Sequence, residues 1–230
     1  MPEIRNNPKS YAIIVAGGSG TRMQAVVPKQ FLLLNGKPIL MYTIEAFGAS
    51  TYQPEIIVVM HPNFHTYWEE LCATYNFTIP HILTDGGETR FRSVKNGLAM
   101  VNADDGLVAV QDAVRPLTSV DIIDSAYAQA NEYGNAVAAV QSRDSVRSLR
   151  NGRSESLLRD EIYLVQTPQT FKAGLLKKAY RQPFNNGFTD DASVAESDGN
   201  AIHLVEGNYQ NIKITFPEDI AIAEMLLKMR

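Results

Sequence analysis

Cysteine is almost missing from the chain: Cys72 is the single one in 230 residues. It cannot close an internal disulfide, which excludes a stapled miniature scaffold and leaves no thiol chemistry that requires an oxidising compartment. The expected compartment is the reducing cytoplasm. Long apolar runs are missing as well. The longest early one, Ala12 to Ala16, stops at Gly17-Gly18, far short of the ~18 residues a spanning helix needs, so neither a membrane span nor a signal peptide is expected. An excess of positive charge is also absent, with 21 Lys and Arg against 25 Asp and Glu and a net charge of −4. A general nucleic-acid binder usually carries a basic surface. Any phosphate chemistry must therefore come from a local gathering of cations. No internal repeat, low-complexity tract or linker divides the chain.

What is present is an alternation of two kinds of segment. Strand-like runs occur at Tyr11 to Ala16, Glu55 to Met60, His81 to Thr84, Leu107 to Gln111 and Asn135 to Val140. Helix-like segments lie between them: Ile39 to Phe47 after Pro38, Tyr67 to Tyr75 after Pro62, and Ile122 to Tyr133 between Ser119 and Gly134. Pro at the start and Gly at the end are the expected helix punctuation. Nearly continuous Val, Ile and Ala in the strands fits a mostly parallel sheet covered by helices on both faces, which is an α/β fold. Further on, Gly174 to Arg181 and Asp190 to Ser197 read as helices, the second with Thr189 as N-cap. Ala201 to Val205 and Asn211 to Thr215 read as strands, and Pro217 opens a final helix to Met229.

Residues 143–166 break the pattern. They are mostly polar, and Asn151-Gly152 between two extended runs is the strongest short-range signal for a two-residue type I′ hairpin. Counting outward pairs Arg150 with Arg153, Ser148 with Glu155, Ser145 with Leu158 and Asp144 with Arg159. So polar a hairpin is marginal alone. The expectation is one domain over residues 1–230 with an inserted arm at 143–166 that docks on a second copy of the protein; the alternative is a surface hairpin without a partner.

The chemistry-bearing residues fall at strand ends. Ala16-Gly17-Gly18-Ser19-Gly20-Thr21-Arg22-Met23 follows the first strand, where ligands bind in open α/β sheets. It is not a Walker loop, having no Gly-Lys-Ser/Thr, and Met23 stands where a dinucleotide fingerprint has its third glycine. It is a glycine loop followed by the cations Arg22 and Lys29. Asp85-Gly86-Gly87-Glu88-Thr89-Arg90-Phe91-Arg92-Ser93 follows the third strand, and Gln111-Asp112-Ala113-Val114-Arg115-Pro116 the fourth. All three should converge on one sheet edge. An Asp at a strand end suits Mg²⁺, which takes one or two carboxylates plus substrate phosphates. Other groupings are weaker. His61 and His65 lack a third ligand at a recognisable spacing, Asp190-Asp191 suit a first helical turn, and Trp68 with Tyr67 and Leu71 reads as core.

Taken in order, the glycine loop with Pro28-Lys29-Gln30-Phe31, Gly86-Gly87-x-x-Arg90-x-x-Ser93, Asp112-Ala-x-Arg115-Pro116, Gln166-Thr167-Pro168-Gln169, Thr189-Asp190-x-Ala-Ser193 and Asn211-Ile-Lys213-x-Thr215 resemble the 2-C-methyl-D-erythritol 4-phosphate cytidylyltransferases over residues 11–230. The resemblance implies a Rossmann-like nucleotidyltransferase domain that transfers CMP from CTP to methylerythritol phosphate, releasing pyrophosphate. It implies catalytic roles for Arg22, Lys29 and Lys213. It implies nucleotide contacts from Ala16, Gly17, Gly18, Gly20, Gly87, Glu88, Arg90, Ser93, Asp112 and Ala113, with Asp112 holding Mg²⁺. Arg115 and Thr189 are implied to contact the acceptor, together with Ser145 and Arg159 of the partner subunit in a homodimer joined by the arm. Two alternatives stay open: a D-ribitol-5-phosphate cytidylyltransferase, and a nucleotide-binding module without catalysis.

Overall fold

In a computed structural model, which describes residues 8–17 and 27–229, the period-two alternation of the strands gives the central sheet a core on each face, and a third, smaller cluster gathers Leu34, Ile39, Leu117 and Ile214. The first strand, β1 (Ser10–Val15), sends Ala12 and Ile14 to one face and Tyr11 and Ile13 to the other, all fully buried. The chain continues through the short pair β2 (Leu33–Leu34) and β3 (Lys37–Pro38), α1 (Ile39–Gly48), β4 (Glu55–Met60), α2 (His65–Thr74) and β5 (Ile82–Asp85). Next come α3 (Arg90–Ala99), β6 (Leu107–Asp112), α4 (Val120–Tyr133) and β7 (Asn135–Gln141). A hairpin of β8 (Arg147–Arg150) and β9 (Arg153–Ser156) follows. The chain closes with β10 (Tyr163–Lys172), α5 (Ala173–Ala179), α6 (Asp191–Ser197), β11 (Leu204–Glu206) and α7 (Glu218–Leu227).

Seven strands form the central sheet in the order β11-β7-β10-β6-β1-β4-β5. Pairs β1/β4, β1/β6, β4/β5 and β11/β7 are parallel, while β10 runs antiparallel to both β6 and β7. Residues of α1, α2 and α4 fill one core, with Trp68 and Phe47 fully buried in it. Residues of α3, α5 and α6 fill the other. The expected mostly parallel sheet with helices on both faces is the fold observed.

Several local expectations are corrected. The last four residues of the expected arm, 163–166, belong to the central sheet, where Tyr163 pairs with Gln141. β10 escaped notice because Pro168 interrupts it. The register on β7 shifts between Val165 and Gln169, and such an irregularity is where a strand accommodates a residue without an N–H. Around Asn151 and Gly152, with φ of 50° and 77°, the hairpin has the expected register from Arg150↔Arg153 to Arg147↔Ser156. It does not reach Ser145/Leu158 or Asp144/Arg159, because Arg159–Glu161 turn into a short 3-10 helix. Asp190, not Thr189, caps α6: its carboxylate accepts from Ser193 N at 2.9 Å while its own N–H donates to Ser193 Oγ at 3.2 Å. The stretch Asn211 to Thr215 is not a strand. Arg115 and the Val114 carbonyl hold it instead, through Asn211 O at 2.7 Å and Ile214 N at 2.9 Å.

Candidate active site

Because six of the seven strands run one way, the carboxyl ends of β1, β4, β5 and β6 share one edge, and the segments leaving them wall a cavity of about 500 Å³. Ala16 and Gly17 follow β1, Gly87, Glu88, Arg90 and Ser93 follow β5, and Asp112 and Ala113 end β6. Lys29 enters from the turn before β2, and Lys213 from the segment before α7. These ten sequence-derived residues are brought together. Gly18, Gly20 and Arg22 lie outside the described residues.

Asp112 is the electrostatic centre. Its Oδ2 lies 2.9 Å from Lys213 Nζ and 3.4 Å from Arg115 Nε, and its Oδ1 is 4.0 Å from Arg90 Nε. Burial alone would raise this carboxyl. Lys213, then Arg90 and Arg115, outweigh burial and bring the group down to about 2. Its backbone N–H donates to Thr167 Oγ1 on β10 at 3.1 Å. The site thus holds a buried carboxylate that its three cationic neighbours keep ionised at neutral pH.

Those cations are held differently. Arg90 makes a two-pronged contact with Asp191, Nη1 to Oδ1 at 3.0 Å and Nη2 to Oδ2 at 2.6 Å, and Tyr180 Oη donates to Asp191 Oδ1 at 2.6 Å. Against burial, which would lower it, this pairing raises the Arg90 guanidinium above its ordinary value. Asp191 is fully buried, so α6 aims Arg90 while Arg90 neutralises α6. Gln169 ties this helix to β10, donating to Asp190 Oδ2 and accepting from Ala192 N, both at 2.9 Å. Arg115 does not line the cavity. It lies buried behind Asp112, bonded to the Asn211 carbonyl, and burial lowers its guanidinium despite Asp112. Lys29 Nζ donates to the Ile214 carbonyl at 3.0 Å, which links the turn before β2 to the Lys213 segment.

At the far wall the cavity is built of backbone. Ser93 Oγ accepts from Gly87 N at 3.0 Å and donates to Thr89 O at 3.0 Å, bridging the β5–α3 loop to its helix. A Cβ on Gly87 would stand 2.3 Å from Arg92 Cβ, so the loop closes only with glycine there. Gln30 Nε2 donates to the Ala16 carbonyl at 2.6 Å. Flat, backbone-edged walls beside a cationic end suit a planar base joined to a polyphosphate.

Three expected acceptor residues stand apart. Thr189 is exposed before the α6 cap, and Ser145 and Arg159 are exposed on and beside the arm. Within this chain none of them lines the cavity. Conversely, His61, Thr89 and Thr215 line it without having been expected. His61 directly follows β4, so the strand-end rule that singled out Asp112 also points to it.

Comparisons with known proteins identify the family and the fold. The family model for 2-C-methyl-D-erythritol 4-phosphate cytidylyltransferase matches residues 10–229. A 2-C-methyl-D-erythritol 4-phosphate cytidylyltransferase of Phocaeicola vulgatus is 48% identical over 217 residues, covering 94% of this chain and 99% of that protein. One from Porphyromonas gingivalis is 44% identical, covering 95% and 98%. Among solved structures, 4-diphosphocytidyl-2C-methyl-D-erythritol synthase from Anaerococcus prevotii superposes with a TM-score of 0.83 at 27% identity, covering 96% of each chain. The 2-C-methyl-D-erythritol 4-phosphate cytidylyltransferase of Francisella tularensis gives 0.79 at 33% identity, covering 94% of this chain and 99% of that one. With the fold, the cationic cavity and these matches in accord, the chain belongs to the 2-C-methyl-D-erythritol 4-phosphate cytidylyltransferase family.

Proposed function

We propose that the chain transfers CMP from CTP to the phosphate of 2-C-methyl-D-erythritol 4-phosphate, in the cytoplasm, with the cavity at the carboxyl edge as its active site. The observation that carries the assignment of the site is Asp112, ionised beneath Lys213, Arg90 and Arg115. An oxygen of the acceptor phosphate forms the new bond to the α-phosphorus, the bond from that phosphorus to the β-bridging oxygen breaks, and pyrophosphate leaves with the electron pair. A phosphate monoester is mostly a dianion at neutral pH, its second pKa being ~6, so no side chain need remove a proton. The demand is for charge neutralisation and alignment. Lys29 and Lys213 face that demand from two linked segments, with Arg22 as a third cation by family resemblance.

No group of three or more His, Cys, Asp or Glu side chains that could hold a metal occurs among the described residues. A buried, ionised carboxylate at Asp112 fits Mg²⁺ that arrives with the nucleotide, since this ion keeps its waters and binds one or two carboxylates plus substrate phosphates. Asp112 would hold it, and it would neutralise charge between the phosphates. Ser93, Gly17 and the Gly87-Glu88 backbone would receive the base, Arg115 acting from behind Asp112.

For the acceptor, Thr189 and the partner subunit's Ser145 and Arg159 remain the proposed contacts. The arm supports a homodimer through its apolar residues: Leu149 is 74% and Leu158 70% exposed, and Tyr163, Leu164 and Val165 at its root are also uncovered. Pyrophosphate release from CTP with methylerythritol phosphate tests the reaction. Release with ribitol 5-phosphate instead would select the other acceptor, and release with neither would leave only nucleotide binding.

A further inference from the structure

The Gln166-Thr167-Pro168-Gln169 stretch of β10 and Asn211 meet beneath the site, and what their contacts hold in place reaches beyond Asp112 and Arg115. Asn211 is fully buried, and Gln166 is 7% exposed. Asn211 Nδ2 donates to Gln166 Oε1 at 3.2 Å and to the Thr167 carbonyl at 2.9 Å, while its Oδ1 accepts from Thr118 Oγ1 at 2.9 Å. Its own carbonyl accepts from Arg115 Nη1 at 2.7 Å. One residue therefore joins three separate stretches of chain: β10, the β6–α4 loop and the segment leading to Lys213. Gln166 completes the clamp by donating to Asn208 O at 2.9 Å and accepting from Asn208 N at 3.3 Å. Both donors and the acceptor of the Asn211 amide are engaged, so its orientation is determined.

Lys213 stands between two fixed points. Asn211 is one; the other is Ile214, fully buried, whose N–H donates to the Val114 carbonyl at 2.9 Å. The Lys213 side chain is 43% exposed, and a lysine stem this open has little packing to direct it, so its ammonium is aimed by where its backbone is held. The opposite member of the pair is braced by the same stretch of β10, since Thr167 Oγ1 accepts from Asp112 N. We infer that Asn211 is a positioning residue for the transfer reaction: with Gln166 and Thr167 it holds Lys213 at the distance from Asp112 that the phosphates require. The inference rests on the proposed reaction for its kinetic consequence, but its geometric content stands apart from it. Displacing a catalytic group by ~1 Å can cost about a hundredfold in rate.

A double-mutant cycle separates positioning from general damage. Asn211→Ala should lower kcat at least about tenfold in the otherwise intact enzyme and less than about twofold when Lys213 is already Ala. Equal losses in both backgrounds would overturn the inference. Should Asn211→Ala fail to fold, Gln166→Met, of similar volume but without the amide, enters the same cycle with the same two outcomes. A readout independent of turnover is the NMR signal of ¹³C-methylated Lys213, assigned through Lys213→Arg. The Lys213–Asp112 pairing should give this signal a distinct shift in the wild-type chain, and Asn211→Ala should move it to the position of solvent-exposed lysines. An unmoved signal would overturn the inference. A moved signal in a protein that releases no pyrophosphate would keep the positioning role and reject the reaction.

Discussion

Asp112 gathers three cationic neighbours on a single carboxylate, and the pH dependence of the protein follows from that. Its folded pKa of about 2 lies below the ordinary carboxyl value of 3.8, so the unfolded chain takes up the proton first as pH falls. The stabilisation is complete above about pH 4 and disappears as pH drops through about 2, amounting to about 2 kcal/mol. Urea midpoints measured between pH 5 and 2 should decline along this limb, and Asp112→Asn should flatten it. The two lysines are expected to act on rate. Lys29→Ala and Lys213→Ala should each lower kcat by about a hundredfold or more with circular dichroism unchanged, the scale of one lost preorganised electrostatic contact. At the base wall, Gly87→Ala forces a Cβ into Arg92, and overpacking of this kind costs about 1–3 kcal/mol. A lower thermal midpoint and weaker CTP binding by calorimetry should accompany it. Lys29, Asp112 and Lys213 were legible in the sequence because strand ends and spaced motifs mark them. The behaviour of Arg90 and Arg115 was not. Their partners, Asp191 and Asn211, lie 101 and 96 positions away, and no local pattern connects such pairs.

Among the elements, the helices and parallel strands that sequence periodicity marked are where the structure has them, because each buries a regular stripe or alternation. The larger elements that escaped were α3, whose first turn was read only as the end of a glycine loop, and β10, for a chemical reason, since a strand containing Pro168 between two glutamines shows neither alternation nor a continuous apolar run. Asn211–Thr215 misleads in the other direction: its β-branched residues suggest a strand, but a single backbone bond to Val114 and the Arg115 guanidinium hold it rather than a ladder. The cap of α6 moved by one residue because Asp190 satisfies two demands, bonding Ser193 N and receiving Gln169. Asp190→Ala should therefore destabilise by more than the ~1 kcal/mol of an ordinary lost cap, which chemical denaturation would measure. The hairpin forms a sheet of its own, β8 pairing only with β9. Replacing residues 146–157 with a two-glycine link should leave the thermal midpoint of the isolated subunit nearly unchanged and should abolish the proposed homodimer, which sedimentation measures.

At the scale of the whole molecule, a chain of net charge −4 concentrates cations where six of seven strands end. Their convergence was readable from the order of strands and glycine loops; their individual angles were not, since these depend on β10 entering the sheet in reverse. Because Asp112 is the buried carboxylate among these cations, metal and nucleotide should stabilise together. CTP with Mg²⁺ at about a hundred times its dissociation constant adds about 2.7 kcal/mol, several degrees for a chain of this size. Chelation with CTP still present should remove most of that increment, read as a fall in the thermal midpoint towards that of the free protein.

The reversal of β10 also determines how the arm is mounted. Both of its roots, Gln141 and Tyr163, leave the same sheet edge that bears the cavity, and they pair with each other there. Beside them Arg143 lies over the Tyr209 ring at 3.4 Å, and Tyr209 Oη donates to the Gln141 carbonyl at 2.8 Å. From Tyr163 the strand runs directly to Gln166 and Thr167. The arm and the residues that hold Asp112 thus share one strand, so a load on the arm is passed to the floor of the site, as along a short lever to its fulcrum.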